Sequence, residues 1–505
     1  MALVLSTKGK PSEANFAALP PDVGTPMVVD RDTGECYIML TNGTIARIGG
    51  NDFVTPYRYG AVGDGSTDDA AALRQAFQSG KPVSLAGGDF AFGSQIAADN
   101  DEPTIIGPGT LSMLTGTGQF TNTDPVTKFA SNSCGIYIEN YDKAFLYNFK
   151  IRLVGTPSED NIVVPIAVRD SSASRAEWVE ITAFKKTTGL FSVDTCLDCD
   201  FVHNYLHDCS TNGASNGQLS GFTVDDNRIS GGSERLNISF NKIRDLTVGA
   251  SFLAAFGYQT DGINLQGPGN SIGHTVIGNQ IDNVGECIDI FSSYCTVQAN
   301  VCLTAYAIGI KMIHGASFNN VGSNIIDAPG KSGMEIHGSD TAGFDTDGNN
   351  VHDNIITRVN LARNWDASTT AGILVDDVGR VYLVRRTTLK NNHVLNSADA
   401  NFAFTDSAMS ADNVWTDNRA PGTFRNALLS NISGAWFSFD QRGASFGTPS
   451  VPSTILLLAS STASMSSFRI PHGVDPTNPV NGDCWTLGSG AFMRINGVTR
   501  QVQFV

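Results

Sequence analysis

Charge is scarce in this chain: only 16% of its 505 residues are Asp, Glu, Lys or Arg, too few for helices with charged outer faces. Basic residues are scarcer still. Thirty-three Lys and Arg stand against 49 Asp and Glu, a net charge of −16, so an extended phosphate-binding surface would form against the field of the whole molecule. No nucleic-acid partner is expected. Long apolar runs are also missing: none approaches the ~20 residues of a membrane span, and Met1–Ser6 lacks the basic start and apolar stretch of an export signal. Folding in the cytoplasm and no membrane span are the expectation. Nine cysteines cannot all pair within one chain, and Cys196-Leu-Asp-Cys199 has neither a second close pair nor a His pattern for zinc. Buried thiols and no metal are expected. No glycine-rich dinucleotide or nucleotide loop follows a strand, so no organic cofactor is implied.

Glycine and asparagine are plentiful instead, with 52 Gly, which suits short strands and turns and an all-β fold. The length exceeds one compact core, so either several domains or one elongated repeat is required. Two ladders favour the repeat. Asn-x-apolar recurs at Asn204, Asn227, Asn241, Asn279, Asn300, Asn324, Asn354 and Asn392, with steps from 279 of 21, 24, 30 and 38 residues. Ile263, Ile288, Ile310, Met334 and Ile373 recur in phase, 25, 22, 24 and 39 residues apart. A coil of the low twenties with growing insertions is predicted, its Ile row stacked inside and its Asn at tight corners, where the left-handed backbone is tolerated and stacked Asn side chains can bond one another along the axis.

Upstream, Gly60-Ala-Val-Gly-Asp-Gly-Ser-Thr-Asp-Asp69 precedes Ala70-Ala-Ala-Leu-Arg-Gln-Ala-Phe77. Thr67 or Asp68 caps a helix whose apolar side is Leu73, Ala76 and Phe77, and Gly80 stops it. This run resembles the opening motif of pectate-lyase-like β-helix proteins, a group that includes polygalacturonase-like hydrolases and many phage tailspikes. The resemblance implies an all-β, right-handed parallel β-helix over residues 53–420, plugged at its start by that helix. Residues 1–52 then form a small N-terminal virion-attachment module that meets phage tail or baseplate proteins. Residues 421–505, with a Ser/Thr-rich run from Ser445 to Ser467, resemble the β tips that end phage tail proteins. The tailspike resemblance further implies a virion protein made in the host cytoplasm, a homotrimer, and a bacterial surface polysaccharide (capsule, exopolysaccharide or O-antigen) as partner. The apolar run Ile455–Ala459 is the segment expected to bury against other copies.

Strand alternation sends the residue after each inward Ile or Met outward, which predicts one exposed row of Asn264, Asp289, Lys311, Glu335 and Leu374. Asp289 and Glu335 then lie two rungs apart, within reach of the ~6.5–9.5 Å carboxyl separation of an inverting glycosidase. Lys311 between them holds a sugar acid or keeps both carboxylates ionised; equally, the row reads as a solvated charge ladder. A rival register aligns Ile313-His-Gly with Ile336-His-Gly, stacks His314 on His337, and removes Lys311 from the row. A second acid pair, Asp261 and Glu286, stands at equivalent strand entrances one coil apart. It is similar to the polygalacturonase pattern of acid and base, although Gly285 replaces one Asp of that pattern and the later Gly-His-Gly and Arg-Ile-Lys segments have no counterpart. Tyr258, in the insertion Phe252–Tyr258, offers an aromatic face for a sugar ring. Glycosidic hydrolysis by a carboxylate pair, with Asp261 and Glu286 preferred, is the leading expectation. A polysaccharide lyase and a non-catalytic receptor-binding spike are the alternatives.

Overall fold

The computed structural model describes residues 53–98, 102–115, 134–155, 164–184, 189–211, 219–225, 231–248, 260–267, 270–340, 343–362, 369–406 and 412–420, with 484–487 and 490–501 near the end. Phe120, residues 365–366 and the short strands named below complete that set. Tyr258 and the rest of its insertion lie outside the described residues, as do Asn227, the Ser445–Ser467 run and Ile455–Ala459.

Among the described residues the coil builds three parallel sheets of 13, 12 and 12 strands. One turn shows the rule. Thr296–Gln298 lies in sheet one, Val301–Leu303 in sheet two and Ile308–Met312 in sheet three, after which Asn320–Gly322 returns to pair with Thr296–Gln298. Strands that return in parallel to their own sheet do so right-handedly, and the fold is a right-handed parallel β-helix. The strands of sheets one and two are mostly three residues long, and their middle side chain points inward. Ile238, Val276, Val297, Val321 and Val351 fill that position and are fully buried, β-branched residues that suit a pleated, packed surface. The Ile263, Ile288, Ile310, Met334 and Ile373 row stacks in register as expected.

The asparagines stack and bond one another along the axis as expected, but they are not themselves the left-handed residues. The left-handed corner residue is the one before each: His203, Phe240, Ala299, Ser323 and Asp353 have φ of 59°, 58°, 54°, 56° and 56°. Each Asn is then free to turn inward. Asn300 Oδ1 accepts from both the backbone N–H and the Nδ2 of Asn279, at 3.0 Å each, while Asn300 Nδ2 donates to Val276 O at 2.9 Å and to Asn324 Oδ1 at 3.0 Å. The ladder steps directly from Asn204 to Asn241 and runs on through Asn392 to Asn418. Asn227 is therefore not a rung of it.

Helix α1 (Ala70–Phe77) buries Ala70, Ala72, Leu73, Ala76 and Phe77 in the same core as the first coils. Its N-cap is Asp69, without a side-chain cap bond. Asp68 Oδ1 accepts from Ala70 N, and Asp69 instead ties down Val62 N and Gly63 N. Thr67 does not cap, because its own N–H and hydroxyl are held by Asp64. Four strands precede the coil: Val4–Thr7 parallel to Met27–Asp30, which continues antiparallel through Cys36–Met39 and Ile45–Ile48. Strand pairing runs past 420, since Leu429–Ser430 and Trp436–Ser438 add to sheets three and one. The chain divides into two units, 1–439 and 440–505; the second contains an antiparallel sheet of Cys484–Leu487, Gly490–Ile495 and Val498–Gln501. The seven described coil cysteines are buried free thiols. Among the described residues no helix is long and apolar enough to cross a membrane.

Candidate active site

Six strands of sheet three carry the site: β1 (Leu219–Val224), β2 (Thr260–Leu265), β3 (Glu286–Ile290), β4 (Ile308–Met312), β5 (Ser332–His337) and β6 (Ala371–Asp376). Strict alternation would put Asp261 on the side of Ile263. It does not hold here. An added Cβ on Gly262 would meet Cys287 O and Ile281 Cγ2 at 2.6 Å, so position 262 faces the core, and Ile263 next to it is also in the core. Cys287 and Ile288 repeat the pattern one coil on. Two successive inward residues leave the flanking pairs, Asp261 with Asn264 and Glu286 with Asp289, together on the outer face. Asn264 Nδ2 accordingly donates to Asp261 Oδ2 at 2.7 Å. Three of the four acids treated as rival pairs in the sequence, Asp261, Glu286 and Asp289, are thus one cluster.

Register places Asn264, Asp289, Lys311, Glu335 and Leu374 in one column and Asp261 beside Glu286 in the next. The rival register is excluded, because Lys311 pairs with Glu335 and Met312 with Ile336, which leaves His314 and His337 offset by one. The row is not exposed as expected. Asp261, Asn264, Glu286, Asp289 and Glu335 are all at or below 2% exposure. Lys311 lies across the acids, its Nζ 2.5 Å from Glu286 Oε2 and 2.9 Å from Asp289 Oδ2. It thus pairs within the Asp261–Glu286–Asp289 group and does not bridge Asp289 to Glu335. Glu335 has partners of its own: Lys331 Nζ at 2.9 Å and His337 Nε2 at 2.6 Å. His314 Nδ1 meets Ser339 Oγ at 2.8 Å, and its ring stands edge-on to Phe291. Sequence reasoning missed Lys331, because four residues of extended chain span roughly 13 Å and the spacing gave no sign of a pairing with Glu335.

Charge balance decides the protonation. Carboxylate oxygens of Asp261, Glu286 and Asp289 lie within 4.8 Å of one another, with one ammonium among three buried acids. Burial pulls Lys311 down, but Asp289, Glu286 and Asp261 outweigh it and hold the ammonium well above its usual range. Burial pushes Glu286 up to about 8, against the pull of Lys311 and with the push of Asp289 and Asp261. Asp289 is raised for the same first reason. Burial would raise Glu335 too, but the hydrogen bond and charge of His337 and the charge of Lys331 bring it down to about 2. Two carboxyl groups on one face are thus driven apart, one neutral and one ionised near neutral pH. The oxygens of Asp261, Glu286 and Asp289 are also a set a hard cation can use, but Lys311 already supplies the positive charge to two of them.

Ser192 Oγ, Ser220 Oγ, Asn264 Oδ1, Asp289 Oδ1 and Ser332 Oγ are buried on this sheet without a hydrogen-bond partner among the described residues. A Ser–His pair elsewhere, Ser271 Oγ to His274 Nε2 at 2.6 Å, is fully buried, and His274 Nδ1 is taken by Leu236 N, which leaves no nucleophile at a surface.

A parallel β-helix with buried acids on one outer face is the class of protein that fold and site define. No protein-family model and no curated protein matches the sequence. Among solved structures, the chain is similar to the tailspike protein of E. coli bacteriophage HK620. A double mutant of it superposes with a TM-score of 0.52 at 13% identity over 78% of this chain and 73% of that one. A mutant in complex with hexasaccharide gives 0.53 at 13% over 79% and 74%. Tailspike protein 3 of bacteriophage CBA120 covers 92% of this chain and 71% of its own, at 12% identity and a TM-score of 0.46. At such identity the likeness is one of fold.

Proposed function

We propose that this chain is a phage tailspike that binds a bacterial surface polysaccharide and cleaves it by glycosidic hydrolysis. The observation that carries the reading is the split between Glu286, held neutral by burial, and Glu335, held ionised by Lys331 and His337, on the outer face of one sheet. Glu286 donates a proton to the glycosidic oxygen and Glu335 activates water. The pair draws one acid from each of the two pairs read in the sequence. The three clustered acids lie too close together for a water and a sugar to pass between them, whereas Glu335 stands two rungs from Glu286 and three residues further along the strand, roughly 14 Å between backbones. Asp261 and Asp289 keep the proton on Glu286, and Asn264, His314 and His337 offer polar contacts to sugar hydroxyls. A lyase needs a free base, and Lys311 is bound as an ammonium between two acids, which favours hydrolysis. The likeness to a tailspike solved with hexasaccharide supports the substrate class. It equally supports residence in the virion tail; residues 1–52 are the proposed attachment module and the coil from 53, which keeps adding strands as far as Trp436–Ser438, the proposed acting part, with the tip after it.

The test is reducing-end release from purified capsule, exopolysaccharide and O-antigen preparations. Glu286→Gln and Glu335→Gln should each lower turnover by roughly 10²–10⁴-fold with folding intact. An unsaturated product would move the assignment to a lyase. Unchanged turnover in both variants rejects the acid pair.

A further inference from the structure

Charge on the outer face of sheet three is one-sided well beyond the acid cluster. Upstream, Glu139, Arg169 and Asp194 follow one another in register on the strands Cys134–Glu139, Val164–Arg169 and Phe191–Asp194. Downstream, Asp376 stands beside His337 in register. Between Cys134 and Asp376 the acids of this face are therefore Glu139, Asp194 and Asp376 together with the four already described. Against them stand two cations on the strands, Arg169 and Lys311, and Lys331 one residue ahead of β5.

Each of these cations is already held by acids. Arg169 lies 3.3 Å from Glu139 Oε1 and 3.4 Å from Asp170 Oδ2. Lys311 spans Glu286 and Asp289, while Lys331 and His337 close on Glu335. The segments between these strands that lie outside the described residues bring charges that nearly cancel: by sequence they carry Lys185, Lys186, Arg228 and Arg363 against Glu159, Asp160 and Asp226.

Five of the acids, Asp194, Asp261, Glu286, Asp289 and Glu335, are buried, where charge is screened less than at an open surface. Even with Glu286 and Asp289 protonated, the remaining acids outnumber the cations. A uronate, sialate or phosphate brought to this face meets like charge, and among the described residues it meets no cation that is not already engaged. At about 8 Å from one ionised carboxylate, with an effective dielectric of about 20, a single sugar acid loses roughly 30-fold in affinity. A neutral sugar escapes that loss, and its hydroxyls donate to carboxylate oxygens, which only accept.

We propose that the polysaccharide taken by this face is uncharged, with no uronate, sialate, phosphate or sulfate in its repeat unit. The proposal rests on the reading of this face as a polysaccharide site and narrows it by charge. It also sets aside the role of sugar-acid holder read for Lys311 in the sequence.

The experiment uses the full chain carrying Glu286→Gln, so that the probe survives, and whichever purified capsule, exopolysaccharide or O-antigen the native chain binds. Sugar analysis of that polymer should find no acid group. Its dissociation constant in calorimetry should change by less than about 2-fold between about 50 and about 500 mM NaCl. Oxidising its primary hydroxyls to carboxylates should weaken binding by about 30-fold or more, and methyl esters of those carboxylates, which keep the size and remove the charge, should recover most of the loss. An acid group in the native repeat overturns the proposal, as does an acidic polymer held only while calcium is present. Oxidised polymer that binds as tightly as the original, or esters that bind as weakly as the acids, also overturn it. A neutral polymer that the native chain binds without releasing reducing ends rejects hydrolysis and leaves the charge class standing. An acidic polymer that is hydrolysed does the reverse, and binding to none of the three preparations rejects both.

Discussion

Glu286 is governed by three influences: burial, the charges of Asp261 and Asp289, and the ammonium of Lys311. The first is the largest, so the folded carboxyl titrates near 8 rather than 4.5. Because the folded value is the higher one, its neutral form contributes stability fully below about pH 4.5, and that contribution is lost as pH rises through 8. Activity that needs the proton should fall over the same upper range, and a pH–rate profile flat to pH 9.5 would count against Glu286 as the acid. Lys311 carries a separate prediction. Replacing it by Met leaves buried carboxylates without their cation, a loss of about 3–5 kcal/mol where they ionise. The loss should be smaller at pH 5, where protons take the place of the ammonium. Denaturant unfolding at pH 5 and pH 8 checks this, and equal losses would mean that Lys311 acts by packing.

Within each of β1 to β6, one glycine or cysteine step sets which groups share the outer face. An added Cβ at Gly309 would strike Ile326 and stand 2.6 Å from Gly333 O, so Gly309→Ala should cost about 1–3 kcal/mol and shift Lys311 away from its acids. The Asn ladder works at the same scale. Asn300→Ala removes two donated and two accepted bonds from a buried position. A loss of about 3 kcal/mol in unfolding free energy is expected, against about 0.5 kcal/mol or less for the exposed Asn350→Ala. Similar losses at both sites would deny the ladder its role. The Asn ladder was legible in its spacing, but the glycine or cysteine step was not, and the adjacent left-handed residue, which varies from His to Phe to Ala, left no pattern to read.

Across the whole molecule, sheet two exposes aliphatic side chains on successive rungs. Ile325 and Ile355 pair directly and are 43% and 39% exposed, with Leu361 at 50% nearby. Parallel sheets are ordinarily covered on both faces, and a homotrimer, proposed on the tailspike likeness, would cover this flank. Light scattering should then give three times the 53.6 kDa chain mass at micromolar concentration. A version ending at Phe439 should keep that mass, while Ile325→Lys with Ile355→Lys should reduce it to one chain. A monomeric full-length protein would reject the trimer.

The period of the chain was written in its sequence, because the coils bury apolar side chains in each strand and, from Asn204 on, place an Asn amide at the corner before sheet two. Those needs recur along the chain and so leave a spacing. The same rows offered the register with the column of Asn264, Asp289, Lys311 and Glu335, but only the structure chose it over the alignment of His314 with His337. Tertiary structure alone decided that Asp261 and Glu286 join that column's face, since two adjacent inward residues break an alternation that sequence reading must assume. It alone decided that Lys311 turns back toward Glu286 rather than on to Glu335, and that the acids are buried. Protonation depends on burial and on the distances among side chains from different coils, and these are quantities no single strand contains.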